Sequence, residues 1–175
     1  LDRSSAASDV YKRQPTHSTG TQGSTAFFTD MYELTMLDAA IKDGTAQRDC
    51  VFEVFGRRMP NERRYGVVAG TERVLDAITK FRFTKDQLDT ADFLSPEARE
   101  YLENYKFSGQ IDGYREGELY FPYSPIMTVR GTFAECVILE TVLLSILNSD
   151  SAVASAASRM VLSLIHISEP TRRRG

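Results

Sequence analysis

Between Phe27 and Asp43, apolar side chains recur at Met31, Leu34, Leu37, Ala40 and Ile41. Steps of three and four predict an amphipathic helix. Thr29 or Asp30 can cap it, Glu33 stands three residues after Asp30 where a capping box wants an acid, and Gly44 stops it. Cys50–Phe55 alternates and is rich in β-branched and aromatic residues, which predicts a strand. A charged loop, Arg57–Arg64, follows around Met59-Pro60-Asn61. Tyr65–Ala69 reads as a short strand broken by Gly70, and Thr71 to Phe81 as a helix with Val74, Leu75 and Ile78 on one face.

The second half is read the same way. Thr84 caps one short helix, and Ser95-Pro96-Glu97 opens another with an N-cap, a first-turn proline and an acid near the positive end of the dipole. Gln110–Tyr114, Leu119–Phe121 and Ile126–Arg130 are three short strands, punctuated by Glu116-Gly117 and by Pro122 and Pro125. Phe133–Leu147 is apolar on almost every side, so a buried helix is expected. Ser151–Met160 is a separate helical stretch whose alanines and serines would let another backbone, or a ligand, come close. Helices and strands do not strictly alternate, so the class is α+β.

Composition changes this picture mainly at the ends. The chain has 175 residues, 42% hydrophobic and 26% charged, with a net charge of −3. Ser4–Gln14 (SSAASDVYKRQ) and Leu162–Arg172 (LSLIHISEPTR) look like translations of the transposon adaptor used to prepare DNA sequencing libraries. Segments 1–14 and 162–175 are therefore expected to be adaptor-derived rather than native. Without these flanks the core is Pro15–Val161, with 15 basic and 21 acidic residues and a net charge of −6. Residues 15–25, rich in Thr, Ser and Gly, read as a flexible leader. The acidic core argues against a nucleic-acid partner. The longest apolar run, Val137 to Leu147, is broken by Glu140 and Thr141, which argues against a membrane span.

Generic chemical motifs are missing: there is no GxGxxG, Walker loop, HExxH, GxSxG or CxxC. Cys50 and Cys136 read as core thiols, and no metal site is expected within the chain. Glu135 and Glu140 lie on the buried helix and need partners there, so they read as structural or interfacial rather than as acid–base residues.

Ordered segments nevertheless carry a resemblance. Thr29-Asp30-Met31-Tyr32-Glu33-Leu34-Thr35-Met36 resembles the opening helix of the nicotinate phosphoribosyltransferases. Val51-Phe52-Glu53-Val54-Phe55 with Arg57-Arg58-Met59-Pro60 is similar to their early strand and Arg-x-x-Pro loop. Tyr65-Gly66-Val67-Val68-Ala69-Gly70, Tyr105-Lys106-Phe107-Ser108-Gly109, and Glu116-Gly117-Glu118-Leu119-Tyr120-Phe121-Pro122 follow in order. Gly131-Thr132-Phe133-Ala134-Glu135, Leu139-Glu140-Thr141, Ile146-Leu147-Asn148, Ala154-Ser155-Ala156-Ala157 and Arg159-Met160 complete the match.

The resemblance implies an N-terminal α/β sandwich domain of a type II phosphoribosyltransferase over 26–131. It also implies that helices over 132–161 lead into a truncated α/β barrel. The family's activity would be the joining of nicotinate to phosphoribosyl pyrophosphate, driven by ATP hydrolysis, with Mg²⁺ on the pyrophosphate. The catalytic histidine and phosphate loops would lie downstream, leaving no catalytic residue here and a fragment that is inactive alone. The parent would be a cytoplasmic homodimer with shared active sites. By the same resemblance Asp30 and Tyr32 would reach into the neighbour's site, the Tyr32 ring stacking on the pyridine. Arg57, with Arg58 beside it, would meet phosphate oxygens, and Arg159 would face the ligand. The residues alone leave other roles open: Asp30 as a helix cap, Tyr32 as a core side chain and Arg57 in a solvated turn. Related transfer to nicotinamide or quinolinate, or a noncatalytic α+β binding module, are the competing functions.

Overall fold

A computed structural model describes residues 24–60 and 63–168. Expectations for residues 1–14, for most of the leader and for 169–175 lie outside these residues. The helices are α1 (Met31–Lys42), α2 (Thr71–Thr79), α3 (Lys85–Asp89), α4 (Pro96–Glu103), α5 (Phe133–Val137) and α6 (Glu140–Ser168). The strands are β1 (Asp49–Phe55), β2 (Gly66–Val67), β3 (Gln110–Gly113), β4 (Leu119–Tyr120) and β5 (Pro125–Thr132). The mixed α+β class is therefore the one the sequence predicts. Both sheets are antiparallel: one has the order β1-β5-β3, the other pairs β2 with β4. β5 is the central strand, with Cys50 opposite Gly131 and Phe52 opposite Val129. Cys50, Phe52 and Val54 alternate inward along β1, and Val51, Glu53 and Phe55 outward, as the pleat requires.

One core fills the space between the helices and the larger sheet. Leu37, Phe81, Leu88, Leu102, Met127 and Ile138 are among its fully buried side chains. Phe81, Phe83 and Tyr105 pack edge to face, with centroids 5.4 to 6.4 Å apart, the arrangement that ring quadrupoles favour. The Tyr105 hydroxyl is not wasted in this apolar setting, because it donates to the Glu135 carbonyl at 2.8 Å. Asp38 on α1 accepts from the Ser95 N–H at 3.1 Å and from the Ser95 hydroxyl, which ties the N-cap of α4 to α1.

Three expectations change. The first helix is not continuous from Phe27: a 3₁₀ turn spans Thr25–Phe28 and α1 begins only after Asp30. Ser24 Oγ accepts from the Arg82 N–H at 3.0 Å and Thr25 opens the 3₁₀ turn, so the last two residues of the segment expected to be a mobile leader are held against the core. The helix expected over Phe133–Leu147 breaks at Ile138-Leu139, and the stretch from Ser151 instead continues α6 without interruption. The break has a cause. α5 is held by its own capping box and by β1, with the Phe133 N–H on the Arg48 carbonyl at 2.8 Å. α6 takes its direction from α1, through Thr141. The helical geometry of α6 runs on through 162–168. Among the described residues no helix is long and apolar enough to cross a membrane.

Candidate functional site

The site is organised by a carboxylate that no solvent reaches. Glu33 is fully buried. Its Oε1 accepts from the Thr141 N–H and hydroxyl at 2.8 and 2.6 Å and from the Tyr32 hydroxyl at 3.5 Å. Its Oε2 accepts from the Asp30 N–H at 3.3 Å and from the Thr29 hydroxyl. A buried charge is tolerated only when its lone pairs are filled, and here two N–H groups and the Thr141 and Tyr32 hydroxyls donate to it, with the Thr29 hydroxyl shared between Glu33 and the Ile138 carbonyl. Thr29 and Asp30 precede α1 and Thr141 is in the first turn of α6, so Glu33 fixes the starts of both helices against each other. Glu135 repeats the device one step away. It accepts from the Ser108 N–H and hydroxyl at 3.0 and 2.6 Å, and from the Thr132 N–H and hydroxyl at 3.1 and 3.0 Å. Burial opposes its charge, but the bonds from Ser108 and Thr132 outweigh it and hold the carboxyl below its ordinary range.

Tyr32 sits directly on this anchor. It is 45% exposed, so its ring presents a face to solvent while its hydroxyl is tethered. Loss of solvent around the hydroxyl, then the bond to Glu140, then the charges of Glu140, Glu33 and Asp30 push the phenol well above its ordinary pKa. The alternative of Tyr32 as a core side chain is thereby removed. Asp30 is the exposed N-cap of α1, as its helix-cap reading requires.

Glu140 also lines a hollow. A cleft of about 930 Å³ lies between β1 with its following loop and the first half of α6. Its wall is mostly apolar, including Phe52, Val54, Leu143 and Leu147; Arg57, Arg58 and Arg63 bring guanidinium groups to it, and Glu140 a carboxylate. Arg57 and Arg58 are exposed. The arrangement can hold a flat, partly apolar body and engage anionic oxygens.

Arg159 behaves differently. Its guanidinium donates to the Tyr65 carbonyl and the Ser155 carbonyl, both at 2.5 Å, and lies 4.9 Å from the centroid of the Tyr65 ring. Tyr65 lines the cleft, so Arg159 touches the site through Tyr65. The small residues around it have a clear partner. Ser155 Oγ accepts from the Val67 N–H at 2.8 Å and Ser151 Oγ from the Ala69 N–H at 3.1 Å. Four residues of helix rise about 6 Å and two of strand about 6.8 Å, so the i,i+4 serines match alternate amides of β2 and its continuation. The close approach expected of this stretch is that of a backbone.

The structure thus joins Asp30, Tyr32 and Glu140 in one neighbourhood, puts Arg57 on the cleft that Glu140 also lines, and holds Arg159 on protein carbonyls. The residues underrated from sequence are Glu33 and Glu140. Glu33 shares the helical stripe of Leu37 and Ala40, and an acid on an apolar stripe is a signal for a buried anchor.

Comparison with known proteins sets this geometry in context. Residues 27–148 match the nicotinate phosphoribosyltransferase (NAPRTase) N-terminal domain. The chain is 59% identical over 141 residues to the nicotinate phosphoribosyltransferase pncB1 of Mycobacterium tuberculosis, covering 80% of this chain and 32% of that one. It is 34% identical over 145 residues to the nicotinate phosphoribosyltransferase of Bacillus subtilis, covering 78% and 29%. The crystal structure of human nicotinic acid phosphoribosyltransferase superposes with a TM-score of 0.72 at 28% identity, over 83% of this chain and 29% of that one. The nicotinate-nucleotide pyrophosphorylase of Pyrococcus furiosus superposes with a TM-score of 0.53 at 19% identity, a likeness of fold alone. The chain spans about a third of the length of these curated relatives. Neither the nicotinamide and quinolinate alternatives nor a noncatalytic module is favoured by these matches.

Proposed function

The chain belongs to the nicotinate phosphoribosyltransferase family as an N-terminal portion of such an enzyme, and from that premise we propose that its exposed groups complete an active site whose remaining parts lie outside it. The reaction proposed for the whole enzyme is transfer of phosphoribose from phosphoribosyl pyrophosphate to nicotinate, giving nicotinate mononucleotide and pyrophosphate, coupled to ATP hydrolysis. Displacement at the ribose C1 builds positive charge on the sugar and releases an anion, so catalysis needs a fixed base and cations around the leaving group.

The observation that carries this reading is the tethered but open ring of Tyr32. Its hydroxyl donates to Glu33 at 3.5 Å with Glu140 beside it, so the ring is held before a ligand stacks on it. Ordering it in advance lowers the entropy cost of binding. Asp30 beside it can accept from a donor or hold a cation. Arg57 is proposed to meet phosphate oxygens from the rim of the cleft. Arg159 contributes by holding Tyr65 in the cleft wall rather than by reaching the ligand itself. α6 is proposed as one of the helices that lead into the barrel.

Mg²⁺ would screen the pyrophosphate charge in the whole enzyme. Among the described residues no group of three or more His, Cys, Asp or Glu stands together to hold a metal ion. Its protein ligands are thus proposed to come from outside them, as are the groups that bind ATP. A homodimer with shared sites and a cytoplasmic location complete the proposal.

The test is direct. This chain, purified alone, should show no nicotinate-dependent consumption of phosphoribosyl pyrophosphate above a blank without enzyme. A chain of the relatives' length that contains it should turn over. Turnover by the short chain would contradict the proposal that essential groups lie elsewhere. In the long enzyme Tyr32→Ala should weaken nicotinate binding by about 1–3 kcal/mol, the worth of stacking a base on an aromatic ring. Arg57→Ala should raise the KM for phosphoribosyl pyrophosphate or lower kcat.

A further inference from the structure

We propose that Cys50 and Cys136 form a reversible dithiol–disulfide pair that ties β1 to α5 at the base of the cleft. They are the only cysteines in the chain, and sequence alone makes them unrelated core thiols. The structure brings them together. Cys50 points inward from β1 and lies directly across from Gly131 in β5. Cys136 descends from α5 onto the same glycine: its Sγ is 3.2 Å from where a Cβ on Gly131 would stand. A side chain at 131 would crowd Cys136 Sγ on the sheet face that Cys50 shares. Glycine leaves that space open, and the two thiols are near enough to perturb each other's ionisation.

The pair is also held in place. Thr132 and Ser108 grip Glu135, the residue before Cys136, and the Tyr105 hydroxyl bonds the Glu135 carbonyl. On the other side Cys50 is fixed by the β1–β5 ladder. Cys136 is buried and forms part of the cleft wall, whereas Cys50 is half-buried and is the sulfur that a reagent meets first.

The step balances with a low-molecular-weight disulfide as oxidant. The Cys50 thiolate, having given up its proton to solvent, attacks one sulfur of the reagent. A Cys50–reagent bond forms, the reagent's S–S bond breaks, and one reagent thiolate leaves. The Cys136 thiolate then attacks Cys50 Sγ, the mixed disulfide breaks, and a second reagent thiolate leaves. Two protein thiols are oxidised, one reagent disulfide is reduced to two thiols, and the two protons released by the protein end on them. Burial pushes both thiols up, Cys136 to about 12, so exchange is slow and the pair is to be read at equilibrium.

The experiment equilibrates the 175-residue chain in buffers of reduced and oxidised glutathione, native and in urea, then traps with an alkylating agent and weighs the products. The native chain should lose two hydrogens in a disulfide mapped to Cys50 and Cys136. Its effective concentration should be at least about tenfold above that of the urea-unfolded chain. Cys136→Ser should accumulate a glutathione adduct at Cys50 that the native sequence does not retain. Gly131→Ala should lower the effective concentration while leaving both cysteines in place. A native value equal to or below the unfolded one would overturn the proposal, as would a stable adduct at Cys50 with Cys136 still present, because either would mean that the fold keeps the sulfurs apart.

Discussion

From Glu140 to Leu147, α6 buries Val142, Leu143 and Leu147 in the core; from Val153 onward it leaves Val153 and Met160 at 68% and 65% exposure, with Val161 and Leu162 exposed beside them. Both stretches are helical and both are apolar. What differs is the partner. The first half finds its partners in the same chain, and its first turn is clamped by Glu33. The second half uses only one face, where Ser151, Ser155 and Arg159 hold the backbone of β2 and Tyr65, and it offers the other face to solvent. Helical propensity sets neither outcome. An apolar stripe with nothing against it gains no burial energy, so its contribution to the stability of this chain is small. We propose that the stripe as far as Val161 packs against the part of the enzyme that the relatives have beyond this chain.

The contrast can be broken most severely at Glu33. Glu33→Ala strands the Thr141 N–H and the Asp30 N–H, removes the acceptor of three hydroxyls, and leaves a hole. It should cost about 3–5 kcal/mol in urea unfolding, the range for removing one member of a buried charged network. A loss below about 1 kcal/mol would mean that the clamp is not what orders the junction.

Glu135 tests the same region through pH. Its folded pKa lies below the ordinary value, so its charged form contributes stability that is fully present above the ordinary carboxylate range. That stability is lost as the pH falls through the folded pKa. The native chain should lose stability in acid faster than Glu135→Gln, and the two pH profiles should converge at the acid end. Parallel profiles would remove Glu135 from the account.

Arg159→Ala should cost about 1 kcal/mol, from two hydrogen bonds to carbonyls and one cation–π contact near the surface. In the long enzyme it should weaken substrate binding no more than loosening Tyr65 would. A large rise in KM with unchanged stability would return Arg159 to direct ligand contact. At the far end, Val153→Ser and Met160→Ser should change the stability of this chain by less than about 0.5 kcal/mol. Deleting 162–175 should leave its thermal midpoint unchanged. In the long enzyme the same two substitutions should be clearly destabilising, and equal effects in both would show that the stripe is simply solvated.

Much of this was readable from sequence because local rules governed it. Period and capping place α1, α2, α4 and β1 within a few residues: Ser95-Pro96 opens α4, Thr84 caps α3, and alternation marks β1. The kink at Ile138-Leu139 was not readable. A uniformly apolar run carries no phase, and the break comes from two anchors, Glu33 and Glu135, that pull α6 and α5 toward different neighbours. The site was legible in part. Order and spacing of motifs single out Tyr32 and Arg57, but Glu140 stands beside Tyr32 from far away in sequence, and no window on the chain contains both. The small residues around Ser151 predict a close approach but not what makes it. Only the matching rise of helix and strand identifies β2 as the partner.

The central claim is that Tyr32 and Arg57 serve a site completed by other parts of the enzyme, in the neighbouring subunit. The most direct measurement mixes two inactive versions of the long enzyme, one carrying Tyr32→Ala and the other disabled at the downstream histidine that the family resemblance implies. If the sites are shared across a symmetric dimer, each mixed dimer has one site that receives both defects and one that receives neither. Random reassortment should then restore roughly a quarter of wild-type activity. No recovery, with mixed dimers shown to form, would contradict the claim and place Tyr32 within its own subunit's site.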